Sequence, residues 1–322
     1  MSSKYYSKQI DKQSHLLGTH TFHNDIGGGK FMGRAYNFVL NNGDFNIYQP
    51  ILNNTKQYFS DNNISWWAGD RPSGHILSSQ IACINHLIPL MHDKNSVLKI
   101  LNGVSNEFID VLPIPCDKNP AYIALEVVSD FDYLNENTSS RGSNCTSVDA
   151  FIYAVHKSDA KWLIPIEWKY TEHYATFDKA SEDRAHENKG TNGKGLERQR
   201  RYNKLIDNSS QLKTIENYVG SIYYQEPFYQ LMRQTLWAEE IIKNKHQERL
   251  KADDFLHIHI IPKENHDLLQ KKYKVSGENM EITWRSCLSN QSKYVIIDPK
   301  DFLMPISNKY PELFKYLSLR YW

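Results

Sequence analysis

Two stretches of the chain place apolar side chains at helical spacing, and four others carry short, nearly continuous apolar runs. In 79–90, Ile81, Ile84 and Ile88 fall on one face; Ser79 suits the start, and Pro89 should bend or end the helix. In 228–242, Phe228, Leu231, Met232, Thr235, Ala238 and Ile242 form an inward stripe, with Gln230, Arg233 and Gln234 as its polar counterpart. The runs 121–128, 146–155, 162–170 and 255–261 read as strands, the middle pair joined by a polar turn at 156–161. Weaker patterns predict helices at 96–101, 196–206, 281–288 and 311–319, a strand at 294–298, and a hairpin in 33–48 around Asn41-Asn42-Gly43. Residues 53–74 read as loop, with Trp66 and Trp67 anchored on the core, and 182–195 as a mobile loop. The strongest elements run αβββαβ. That order predicts an α/β fold with a mixed central sheet flanked by helices. Residues 76–265 form the core, with 1–75 and 266–322 as extensions packed on it.

The polar exceptions inside the strands carry the chemistry. Asp149 opens one strand, and Glu167 and Lys169 close the next, sharing a face while Trp168 takes the other. Ionised groups at the end of an apolar strand cost desolvation energy unless they pair or bind a metal. Two carboxylates are hard oxygen ligands suited to Mg²⁺ or Mn²⁺, which would lower the pKa of a bound water and offset charge building on a phosphate. Lys169 could hold that water and steady the developing charge. A salt bridge between neighbouring strands is the plainer alternative. Glu126 interrupts the 121–128 run and reads either as a third acidic ligand or as half of an ion pair. His257 and His259 share a strand face but lack a third ligand nearby, so a core or edge pair is favoured over a metal site.

Around these residues lie RGSNCTSVDA, residues 141–150, and IEWKYTE, residues 166–172. The arrangement resembles the PD-(D/E)XK nuclease superfamily, and within it a bacterial group of restriction-endonuclease-like proteins. Val148-Asp149 stands where that superfamily usually has Pro-Asp, a position that varies among its members. The likeness is sharpest over these 32 residues, 141–172, and looser over 78–90 and 227–240. It implies a restriction-endonuclease-like αβββαβ core and a Mg²⁺-dependent (or Mn²⁺-dependent) DNA endonuclease of restriction or defence type. Asp149 and Glu167 would bind metal with the Trp168 carbonyl, Lys169 would position water, and Glu126 would be an optional further ligand. Arg141, Asn144 and Ser147 of the motif loop would face DNA, as would the cationic run at Arg198–Arg201. Gln230 and Arg233 of the second helix complete the contacts. Arg141 could instead tie down its own loop, and the cationic run could be a solvated helix face. Alternatives from other classes are a non-catalytic nucleic-acid-binding module keeping the fold, and an exonuclease or repair nuclease. Cutting both strands at one site would call for a homodimer.

Composition sets the remaining bounds. The 322 residues are 40% hydrophobic, enough for one large domain or two small ones. Lys and Arg number 38 against 37 Asp and Glu, a net charge of +1 that argues against a nonspecific nucleic-acid coat but leaves room for a local basic cleft. The four cysteines form no CxxC pair, so a structural zinc site is not expected and thiols fit a reducing compartment. The first residues lack the apolar core of a secretion signal, and no apolar stretch approaches the ~18 residues of a membrane span. A cytoplasmic protein is expected. Gly27-Gly28-Gly29-Lys30 lacks the frame of a phosphate loop and reads as a turn. His15, His20 and His23 read as surface residues.

Overall fold

The structure is a computed structural model, and it describes residues 3–67, 69–139, 141, 145–182 and 193–322. The N-terminal part holds α1 (Lys4–Ser14), a two-residue hairpin of β1 (Lys30–Phe31) and β2 (Arg34–Ala35), and α2 (Leu52–Asp61). Then come α3 (Ser79–Leu87), α4 (Lys94–Val104), β3 (Phe108–Leu112), β4 (Ala124–Val127), β5 (Val148–His156) and β6 (Lys161–Trp168). The second half runs α5 (Lys194–Asp207), α6 (Phe228–Lys243), β7 (Asp254–Phe255), β8 (His257–Ile260), α7 (His266–Leu269), α8 (Met280–Ser286), β9 (Tyr294–Ile297), α9 (Pro299–Leu303) and α10 (Pro311–Arg320).

Strands β3, β5, β6, β8 and β9 lie side by side, with β4 also on β5 and β7 on β6. Both β3 and β4 run antiparallel to β5, as does β6, whereas β6, β8 and β9 are mutually parallel. The sheet is therefore mixed, and the predicted αβββαβ order is present as α3, β4, β5, β6, α6 and β8. One strand was not read from the sequence. The edge position beside β5 is filled twice, by β3 along Tyr153–His156 and by β4 along Val148–Phe151. A backbone bond from Ile114 N–H to the Ala121 carbonyl, 2.9 Å, closes the excursion between them. The predicted strand at 121–128 therefore shrinks to β4.

Alternation sorts the sheet's side chains into two cores. Ala150, Ile152, Ile164, Ile166, Ile258 and Ile260 face α3, α4, α9 and α10. Phe151, Tyr153, Leu163 and Phe255 face α5, α6 and α8. Glu167, Lys169, His257 and His259 share the odd parity of the second set and belong to the α6 side of the sheet, whereas alternation breaks at Asp149, which lies between Val148 of the second core and Ala150 of the first and lines a cavity with residues of α3.

The extensions differ from the sequence reading in two places. The hairpin turns at Met32-Gly33, not at Asn41–Gly43, where Asn42 caps a single 3-10 turn. Residues 1–30 and 53–74, read as polar or loop, contain α1 and most of α2. The buried residues of α1 are Tyr5, Gln9 and Gln13, spaced at i, i+4 and i+8 but mostly polar, so no apolar period marks the helix. Their amides are used: Gln13 donates to the Tyr170 hydroxyl at 2.6 Å, and that hydroxyl donates to Gln9 at 2.8 Å. At the other end, buried Arg320 of α10 donates to Gln13 and to Asn46. Both extensions are thus bonded to the sheet and to each other. Among the described residues no helix is long and apolar enough to cross a membrane.

Candidate active site

Antiparallel pairing of β5 with β6, ending at Ala150↔Ile166, brings Asp149 to the main chain that follows Ile166. The Trp168 N–H donates to Asp149 Oδ2 at 2.7 Å. The aspartate thus touches the residue midway between Glu167 and Lys169. On the other side, Ala124↔Phe151, Leu125↔Ala150 and Val127↔Val148 set Glu126 opposite Asp149. Carboxylates directly across an antiparallel pair repel. Glu126 has φ 51, a left-handed backbone uncommon for a residue with a side chain, and its Oε2 accepts from the Ser147 hydroxyl at 2.7 Å.

Glu167 and Lys169 are 2% and 5% exposed, so each must find partners inside the protein. They form an ion pair with each other. The Lys169 ammonium also donates to Gln230 Oε1 at 2.5 Å and lies 5.9 Å from the Tyr174 ring centre. Gln234, one turn further along α6, donates to the second Glu167 oxygen. Its own Oε1 lies 2.8 Å from His257 Nε2, and His259 Nδ1 lies 2.8 Å from the Tyr294 hydroxyl. The polar face of α6 that carries Gln230 and Gln234 therefore packs onto the charged end of the sheet.

Burial and mutual repulsion set the protonation. Burial, then the charge of Glu167, holds the Asp149 carboxyl well above the usual range, against the pull of Lys169. Glu126 is raised too, chiefly by burial, with bonds from Ser147 and Gln80 working against it. For Lys169, burial works against the charge, but Glu167, Tyr174 and Asp149 overcome it and push the amine well above its ordinary value. Burial drives His257 down to about 3 and His259 well below its usual value, so both are neutral. A cavity of about 490 Å³ opens beside Glu126, Asp149, Trp168 and Lys169.

The chain matches one family model, described as restriction endonuclease associating with ARP, over residues 17–322. It belongs to that family. No curated protein and no solved structure matches. The match takes in the C-terminal extension and the N-terminal one from residue 17, well beyond the 32 residues, 141–172, where the sequence likeness was sharpest. The charged ends of β5 and β6 thus meet at one cavity, whose lining also includes Gln80 of α3 and Gln230 of α6.

In this family member, most residues expected to face DNA are engaged internally. Arg141 is 9% exposed and paired with buried Asp117 at 2.7 Å, which fits the reading that it ties down its loop. Arg233 donates to Glu136 and to Thr146, and Ser147 serves Glu126. Arg198 pairs with Glu182, and Arg201 with Glu197 at 3.1 Å. The exposed cations of that run are Arg200 and Lys204. Asn144 and most of the 182–195 loop lie outside the described residues. Trp66 stacks on Phe59 at 4.0 Å, as an anchor should, but Trp67 is half-exposed at the cavity. Sequence reading missed Gln234 as a site residue. Its i+4 spacing from Gln230, with both on the polar face of a helix following the Glu-Trp-Lys strand, was the available signal.

Proposed function

We propose that this chain is a metal-dependent DNA nuclease of the PD-(D/E)XK type, acting in restriction or defence. One observation carries the reading: adjacent strands deliver Asp149 and the Glu167–Lys169 pair to one point, with the aspartate bonded to the main chain between them. The residues fit a divalent cation. Three carboxylates share the site's electrostatics, and Asp149 and Glu126 are both held above their ordinary range, an excess of negative potential that a cation offsets. Among the described residues no three His, Cys, Asp or Glu are grouped to hold one ion. The fitting donor set is therefore Asp149, Glu167 and the Trp168 carbonyl, completed by water. Glu126 contributes through its charge, as the neighbour opposite Asp149.

Mg²⁺ or Mn²⁺ bound there supplies a more acidic water and neutralises phosphate charge. Lys169 stays protonated, so its role is to orient a water by hydrogen bonding and stabilise negative charge at the phosphate, not to accept a proton. Gln230 and Glu167 fix its ammonium from two sides. Gln234 and the neutral His257 in turn fix Glu167. On DNA, Arg200 and Lys204 of α5 are the exposed cations suited to backbone contact, and their loss should weaken binding and flatten its salt dependence. The family description names restriction endonuclease and an association with ARP, and a partner of that kind is part of this reading.

The test is plasmid nicking with Mg²⁺ or Mn²⁺, parent beside Lys169→Ala. The variant should lose about a hundredfold or more in rate while keeping its circular dichroism. A folded variant that nicks at the parent's rate would end the proposal.

A further inference from the structure

The N-terminal extension gives the cavity a wall that phosphodiester hydrolysis does not require. Tyr6, Phe59, Trp67 and His75 line it together with Glu126 and Asp149. Trp67 is 54% exposed, a large apolar ring left without cover. The Phe31 ring centre lies 5.3 Å from that of Trp67 and 4.7 Å from that of His75, and Phe38 meets His75 edge-on at 5.3 Å. Burial lowers His75 to about 4, so this ring is neutral and adds a π face, not a cation.

The wall is built in place. Leu40 N–H donates to the Gly74 carbonyl at 2.8 Å, and Val39 bridges to His75. A Cβ at Gly74 would meet the Leu40 carbonyl oxygen at 2.3 Å, so only glycine allows this approach. Gln80 ties the wall to the chemistry. Its Oε1 accepts from Trp67 N–H at 3.0 Å, its amide donates to the Ser65 carbonyl at 3.3 Å, and its side chain also bonds Glu126. A cavity of about 490 Å³ is far larger than one hydrated ion needs and falls within the range of sites that take organic ligands.

We propose that this aromatic wall receives one unstacked nucleobase beside the scissile phosphate, so that the substrate class is DNA with an unpaired or flipped nucleotide. The inference rests on reading Asp149, Glu167 and Lys169 as the phosphodiester site. A base inside a duplex offers only its edges, whereas an extruded base offers a π face that aromatic rings bind regardless of sequence. Carboxylates and rings line the same cavity, which suits a phosphate beside the carboxylates and its own base against a ring.

Binding in EDTA, where no cutting occurs, tests this apart from catalysis. Two labelled duplexes are compared, one with a single extrahelical thymine and one with an abasic residue at that position. The parent should bind the thymine duplex about tenfold tighter. In Trp67→Ala that ratio should collapse to about one, and in Trp67→Phe most of it should return. Trp67 is half-exposed, so folding should survive its loss, and circular dichroism checks this. Equal binding of both duplexes by the parent, no binding of either, or an undiminished ratio in Trp67→Ala would overturn the proposal. Failure of the nuclease reading would be seen separately, in plasmid nicking by Lys169→Ala.

Discussion

Gln234 is a single amide on which two buried groups depend. It donates to Glu167 and faces His257 Nε2, and neither group has solvent nearby to replace it. Replacing Gln234 by alanine leaves a buried carboxylate oxygen and an imidazole nitrogen unpaired, a cost of about 1–3 kcal/mol each. A lowered urea midpoint should accompany weaker cleavage in that variant, and unchanged stability would contradict the bridging geometry. The buried histidines make a second residue-level prediction. Unfolded histidine titrates near 6.5, whereas burial lowers His86 and His257 to about 3 and His259 well below its usual value. Below pH 6.5 the unfolded chain takes up these protons first, so each histidine removes stability as pH falls, about 1.4 kcal/mol per pH unit. Asp149 and Glu126, raised by burial, act in the opposite sense, losing stability as pH rises through their folded values. The imidazole signals of the three histidines should stay fixed between pH 8 and 5 by NMR. A midpoint in that window for any of them would refute the neutral, buried assignment.

At the level of elements, the twice-filled edge beside β5 explains Glu126. β4 joins late, after the 113–123 excursion, and its register puts one carboxylate opposite another. Glu126→Gln keeps the side chain's shape and its bond to Ser147 but removes the like charge. In metal-free buffer this variant should be more stable than the parent by up to about 1 kcal/mol, measured by urea unfolding. A less stable variant would mean that the Glu126 charge is paired favourably in a way its register does not suggest. Helix α6 is the other element whose role depends on its setting. Its apolar stripe was legible, and Phe228, Leu231, Met232, Thr235 and Ala238 are all buried. Its polar face was legible too, but as a face only. Packing that face against the ends of β6 and β8 turns ordinary helix amides into ligands for Glu167, Lys169 and His257.

For the whole molecule, the extensions behave as parts of one body. Ser3 bonds Asp267 at 2.6 Å, Tyr170 is held by Gln9 and Gln13, and Arg320 reaches Gln13 and Asn46. The apolar core on the α3 side also draws on Leu313, Leu317 and Tyr321. Deleting 299–322 should therefore leave no stable core: far-UV circular dichroism and limited proteolysis should report a largely unfolded chain. A truncated protein with cooperative unfolding would contradict this. The sequence by itself determined the order of the main elements, because apolar period is a local property: β5, β6, α6 and β8 fall close to their expected bounds. It also singled out Asp149, Glu167 and Lys169 as the ionisable exceptions in apolar strands, which the strand pairing brings near one another. It did not determine α1, whose buried face is polar, nor β3, nor the pairing of Arg141 and Arg233 with buried acids. Those depend on partners distant along the chain, such as Asp117 for Arg141 and Glu136 for Arg233. Whether a charge faces solvent, a substrate or another charge is decided only when the sheet closes and brings such partners within hydrogen-bond reach.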